Sequence, residues 1–220
     1  AGWEMPMQYL GILDEVRAVR SKVGLFDVSH MGRIEIIGKG ASAFLNRLFS
    51  SAVPSLGVGL ARYGVICTED GGIIDDCILY RLAQDRFLLV PNASNTYVVL
   101  EWLNMWIQSD DEVRVEEITD FTSMIALQGP DAASLLTELT TIDLSKLRAF
   151  CTRETTIQGS RAIVARTGYT GEYGFEIMLD NSVVFILWKS LIDAGATPCG
   201  LGARDVLRLE AGLLLHGNDI

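Results

Sequence analysis

The sequence predicts an α+β protein with mostly antiparallel sheets, built from two halves on a shared plan. Three observations carry this. Stretches of alternating polarity come in pairs closed by glycine-rich turns, the pattern of β-hairpins. Short stretches of helical spacing stand between them. The order strands, helix, strands, helix then runs twice, on either side of the acidic stretch Asp110-Asp111-Glu112. The expected division is therefore one subdomain over residues 1–112 and a second over residues 113–220.

Residues 1–6 carry an aromatic residue, glycine and proline, and predict a loop. Ile12, Val16, Val19 and Val23 share one stripe of a helix over 12–23, ended by Gly24. Arg33 to Gly38 alternates as a strand, and Ala41 to Phe49 is a short amphipathic helix. Ala61 to Cys67 and Ile73 to Tyr80 form a hairpin across Asp70-Gly71-Gly72. A third strand, Phe87 to Val90, ends at Pro91-Asn92, and a helix follows from Asn95 to Ile107. In the second half, strands are expected at 113–118, 124–127, 156–157, 162–165 and 175–179, with helices at 132–139, 183–192 and 203–211.

The composition bounds the function. About half of the 220 residues are apolar, enough for a sizeable core. A net charge of −10 argues against nucleic-acid and anionic-membrane partners. No apolar run is long enough to span a bilayer. Cys67, Cys77, Cys151 and Cys199 lie far apart, and with only His30 and His216 they give no zinc-site spacing, so no metal is expected. Reduced thiols suit a cytoplasmic setting. The chain opens on Ala1 and stops on Ile220, and both ends read as cuts in a longer sequence.

Two stretches carry candidate chemistry. In Ile73-Ile74-Asp75-Asp76-Cys77-Ile78-Leu79-Tyr80, alternation puts Asp76, Ile78 and Tyr80 on one face and Asp75, Cys77 and Leu79 on the other. Burying an ionised carboxylate without partners is costly, so at least one of the pair must meet water, a donor or a ligand. Turn hydrogen bonds at the strand start account for Asp75 better than for Asp76. The second stretch, Arg166-Thr167-Gly168-Tyr169-Thr170-Gly171-Glu172, joins two strands, and its glycines permit positive φ or close backbone approach. Tyr169 stands free to project, and Glu176 lies just inside the following strand. A hairpin loop with a structural tyrosine and a solvated glutamate accounts for it equally. Asn92 is a turn residue or a donor and acceptor for a heterocycle. Met31 is core filler or a ligand contact. Arg204, in the first turn of the last helix, opposes the helix dipole and calls for an anionic partner, from the fold or from a ligand.

Taken together and in order, AGWEMP (1–6), VGLFDVSHMG (23–32), GGIIDD (71–76) with VPNAS (90–94), and RTGYTGE (166–172) with LGARD (201–205), LRLEAGL (207–213) and GNDI (217–220) resemble the aminomethyltransferase, or T-protein, family of the glycine cleavage system. The resemblance implies two intertwined, duplicated folate-binding subdomains that exchange strands, with the family's third β-rich domain absent from this chain. It implies transfer of a methylene group from an aminomethylated lipoyl carrier protein (the H-protein) to tetrahydrofolate, with release of ammonia, in the cytoplasm or a mitochondrial matrix. Asp76 matches the family's essential aspartate. Met31, Tyr63, Tyr80, Asn92, Tyr169, Glu176 and Arg204 match positions that line the folate pocket. Another folate-dependent demethylase or methylene transferase, or a non-catalytic folate-binding protein, shares the same scaffold.

Overall fold

The computed structural model describes residues 2–220; Ala1, the first residue of the expected opening loop, lies outside the described residues. In chain order the elements are α1 (Ile12–Ser21), β1 (Gly24–Asp27), β2 (Ile34–Ile37), α2 (Ala41–Leu48), β3 (Leu60–Cys67), β4 (Ile73–Ala83), β5 (Arg86–Val90) and α3 (Thr96–Met105). There follow β6 (Arg114–Glu117), β7 (Thr122–Gln128), α4 (Ala132–Thr137), β8 (Thr152–Ile157), β9 (Ser160–Ala165), β10 (Gly174–Asp180), α5 (Asn181–Asp193), β11 (Thr197–Pro198) and α6 (Leu201–Glu210). The mixed α+β class and the largely antiparallel sheets are as the sequence predicts.

The chain divides into two compact units. One takes residues 30–120 and 216–220, the other residues 2–29 and 121–215. The chain therefore passes between them after Ser29, Asp120 and Leu215.

In the first unit, five antiparallel strands stand in the order β3-β4-β5-β2-β6. Ile34, Ile36, Ile66, Leu79, Phe87 and Leu89 give its core face, and Phe44 and Leu45 of α2 with Val99 and Leu103 of α3 cover it. Alternation explains the choice of face, since residues two apart on a strand point the same way. The acidic stretch is part of this unit. Asp111 is buried and takes both ends of the Arg47 guanidinium at 2.8 and 2.7 Å, and that contact holds its carboxyl below the usual range. β6, directly after it, pairs with β2.

In the second unit, six strands stand in the order β11-β1-β7-β10-β9-β8, antiparallel except for the β1–β11 pair. β1 differs from the sequence reading. Gly24 opens a strand here and does not end a helix, because α1 stops at Ser21 and a Cβ on Gly24 would fall 2.3 Å from Val19 and 2.8 Å from the Cys199 sulfur. β8 is also longer than its sequence suggests. Its exposed Arg153 and Glu154 hide the alternation, and pairing with β9 supplies the order.

One buried carboxylate organises the starts of two helices in this unit. Glu15 accepts from the backbone N–H groups of Tyr9 (2.6 Å), Leu10 (2.8 Å) and Gly11 (3.3 Å) ahead of α1, and from Gly200 (2.8 Å), which caps α6. Helix starts leave N–H groups unpaired and favour negative charge. Burial raises the Glu15 pKa, but the N–H groups outweigh it and the net shift is downward. A lowered folded pKa contributes stability that is present above the unfolded value, near 4.3, and is lost as pH falls through the folded value. Glu15→Gln should cost about 2–3 kcal/mol at pH 7 by urea denaturation. It should also flatten the acid limb of stability below about pH 4; an unchanged acid limb would remove Glu15 from that role.

Candidate functional site

Asp75 and Asp76 follow each other on β4 and meet different surroundings. Asp75 is fully buried on the side of Cys77 and Leu79, while Asp76 is half-buried on the other face. Asn92, in the extended residues past β5, joins them. Its backbone N–H donates to Asp75 Oδ2 at 2.8 Å. Its side-chain nitrogen lies 2.9 Å from Asp75 Oδ1, 2.9 Å from Asp76 Oδ1 and 3.1 Å from the Asp76 carbonyl. The Tyr63 hydroxyl donates to Asp76 Oδ2 at 3.1 Å from the neighbouring strand, and 42% of Tyr63 is exposed. Asp76 is thus an anion held by two neutral donors at a face that solvent can reach.

The shell behind this cluster was not singled out by sequence reasoning. Asn95 donates to Asp75 Oδ1 at 2.7 Å, and its nitrogen lies 2.9 Å from His216 Nδ1. The Cys77 thiol points at Asp75 Oδ2 from 3.5 Å. Burial first, then the charge and hydrogen bond of Asp75 and the charge of Asp76, push the Cys77 thiol well up. Only an Asn-x-x-Asn spacing just past a strand could have drawn attention to Asn95.

Tyr80 shares the Asp76 face of β4 but is fully buried, so it supports that face from beneath. Met31 lies outside the hydrogen-bonded cluster. It is half-buried, and its carbonyl accepts from Arg33 Nη1 at 2.5 Å. Arg33 itself is buried, with a second bond to the Thr119 carbonyl at 2.7 Å. A cavity of about 360 Å³ in the same unit is lined by Phe49, Val65, Trp102, Trp106 and Gln108 among others, and Met31, Tyr63, Asp76, Tyr80 and Asn92 do not line it.

In the second unit, Tyr169, Glu176 and Arg204 come together. The Arg204 guanidinium carbon stands 4.5 Å from the centroid of the Tyr169 ring. The Tyr169 hydroxyl donates to the Leu214 carbonyl. The ring is therefore held over its face by Arg204 and at its hydroxyl by Leu214, both outside the loop. Glu176 is only 6% exposed and accepts from Thr167 Oγ1 at 2.5 Å. Burial lowers the Arg204 pKa, and the charges of Glu176 and Tyr169 oppose that shift. The anionic partner that Arg204 needs at a helix start includes Glu176.

The loop carrying Tyr169 is built around Gln128, a residue without a sequence signal of its own. Its buried amide donates to the carbonyls of Thr167 (3.2 Å) and Phe175 (3.4 Å) and accepts from Thr170 Oγ1 at 2.8 Å. Two of the three loop glycines answer to Gln128 and its strand. A Cβ on Gly168 would fall 2.1 Å from Gln128 Oε1, and one on Gly174 2.4 Å from the Leu127 carbonyl. Only Gly171 needs positive φ, at 76°. Arg20 ties the loop down from outside, bonding the Thr170 carbonyl (2.7 Å), Glu172 (3.0 Å) and Glu210 (2.7 Å).

Two antiparallel-sheet units, one presenting a carboxylate–amide–phenol cluster and the other a carboxylate–guanidinium–phenol cluster, define the class. The chain belongs to the family of the GCVT N-terminal domain, which it matches over residues 1–220. It is 48% identical to an aminomethyltransferase of Streptomyces avermitilis and 46% identical to one of Chloroherpeton thalassium, in each case over the whole of this chain. It spans 60% and 62% of those two proteins. The solved structure of the glycine cleavage system aminomethyltransferase T from Bartonella henselae superposes with a TM-score of 0.92 at 40% identity, covering all of this chain and 59% of that one. A heterotetrameric sarcosine oxidase from Corynebacterium sp. U-96 shares the fold, with a TM-score of 0.60 at 17% identity over 90% of this chain and 92% of that one.

The steric role of Gly168 is open to test. Gly168→Ala should destabilise the protein by roughly 1–3 kcal/mol through overpacking against Gln128. The double variant Gly168→Ala/Gln128→Ala should lose less than the sum of the two single changes in urea melts, because the clash disappears with the amide.

Proposed function

We propose that this chain is the folate-binding portion of a glycine cleavage system aminomethyltransferase, taking a methylene group from an aminomethylated lipoyl carrier protein onto tetrahydrofolate. What supports the reading most is Asp76, a half-exposed anion fixed by Tyr63 and Asn92 on a strand whose other face is core. The residues present suit a pterin. Glu176 keeps a carboxylate that accepts from an amide–amidine edge, and Arg204 answers carbonyl or carboxylate oxygens. Tyr63 and Tyr169 carry ring surface, Met31 contributes apolar lining, and Tyr80, fully buried, backs the face that carries Asp76. Each of these seven residues, and Asn92, is proposed individually as a folate contact.

Bound tetrahydrofolate supplies the nitrogen nucleophile of the reaction. Asp76 supplies a fixed negative charge that favours positive charge developing on nitrogen in the transition state, and its two donors hold it in place without neutralising it. The carrier protein and the cytoplasmic setting belong to the same proposal.

Calorimetric titration with tetrahydrofolate, followed by a transfer assay with aminomethylated lipoyl carrier, tests it. Micromolar binding and ammonia release support the assignment; binding without transfer, with turnover of an N-methylated amine instead, would move the chain to a demethylase. Asp76→Asn should bind folate within a fewfold of the unmodified protein and lose about a hundredfold or more in turnover. Glu176→Gln should chiefly weaken folate binding, by about tenfold, since it loses a charged acceptor. Unchanged turnover in Asp76→Asn would exclude that residue from the chemistry.

A further inference from the structure

We propose that Asp75 is a positioning residue that locks the Asn92 side-chain amide in one of its two orientations, so that Asn92 presents its carbonyl oxygen, and only that, to a ligand. An asparagine amide can be turned over with little change of shape, and the surrounding hydrogen bonds decide which end faces where. Here three acceptors surround one end: Asp75 Oδ1, Asp76 Oδ1 and the Asp76 carbonyl. Turning the amide over would set its oxygen against two carboxylates and a carbonyl, and would take one of three donors from the buried Asp75. The nitrogen end is therefore fixed inward. The oxygen has no hydrogen-bond partner among the described residues and is not sealed from solvent.

Asp75 can impose this because it is itself held. It is fully buried and accepts from the Asn92 backbone N–H, the Asn92 amide and the Asn95 amide. Asn95 is braced in turn against His216. With Asp75 in place, the Asn92 subsite selects a ligand group that donates, a ring or exocyclic N–H or an O–H, and rejects an acceptor at the same point. This deepens the folate assignment above and rests on it for the identity of the ligand.

Two measurements test the lock, one of them independent of folate. In the unmodified protein, NMR should show the Asn92 side-chain amide protons exchanging slowly with solvent, whereas those of the exposed Asn46 exchange freely. In Asp75→Asn the Asn92 protection should be lost. For binding, Asp75→Asn and Asn92→Ala should each weaken tetrahydrofolate affinity by about tenfold, and the double variant should be no weaker than Asn92→Ala within about twofold. Free exchange of the Asn92 amide in the unmodified protein overturns the proposal. So does full affinity in Asp75→Asn, or losses that multiply in the double variant, since a merely structural aspartate would act independently of Asn92. If the unmodified protein binds no tetrahydrofolate, the functional assignment fails, and the exchange experiment alone decides the lock.

Discussion

Two adjacent carboxylates on one strand set the central constraint in the first unit. β4 alternates its side chains, so Asp75 and Asp76 leave on opposite faces, and an apolar strand must satisfy one anion inside and one near the surface. A single asparagine answers both. Asn92 reaches this position because β5 pairs with β4 at Val90 and Ile78, and two residues further along the pairing stands opposite Asp76. Pro91 shapes the exit from β5, and its carbonyl accepts from the Gly32 N–H at 3.0 Å. The loop is thereby tied to the start of the unit as well as to β4. The buried anion is therefore a structural demand of the strand that also fixes a group beside the reactive one.

The second unit solves a related problem by other means. Its glycine-rich loop has few side chains of its own to pack, and its carbonyls need donors. Gln128, at the end of β7, supplies two donations and one acceptance to the loop from a fully buried position. Arg20 reaches the Thr170 carbonyl and two glutamates from α1. Burial lowers the Arg20 pKa less than its hydrogen bonds to Glu210 and Glu172 raise it. A loop with three glycines is held this way in one conformation, with Tyr169 fixed between Arg204 and the Leu214 carbonyl.

Much of the fold was legible in the residues. The hairpin across Asp70-Gly71-Gly72 and the amphipathic helices from Ile12 and from Ala41 follow from local periodicity. β1 and β8 were harder for opposite reasons. β1 is apolar and begins on a glycine chosen for its neighbours, Val19 and Cys199, which lie five and 175 positions away in sequence. β8 is polar and exposed along most of its length, so its pairing with β9 makes it a strand. The acidic stretch at 110–112 marks the expected break between the halves, and within it Asp111 is a buried partner of Arg47, which lies 64 residues earlier.

For the site, the sequence by itself determined the chemical types and the strand faces: Asp76 opposite Asp75, a glutamate opening β10, an arginine in the first turns of α6. Periodicity and local turn chemistry are short-range, and those assignments need nothing more. Only the tertiary structure decided which of these groups are bonded to one another. Asn92 joins two carboxylates 16 and 17 residues back, Gln128 organises a loop some 40 residues on, and Asn95 meets His216 across 121 residues. Hydrogen bonds depend on distances of about 3 Å and on direction, and no spacing along the chain encodes them. The letters name the donors and acceptors, but the folding of β4 against β5 and of β7 against β10 selects the pairs.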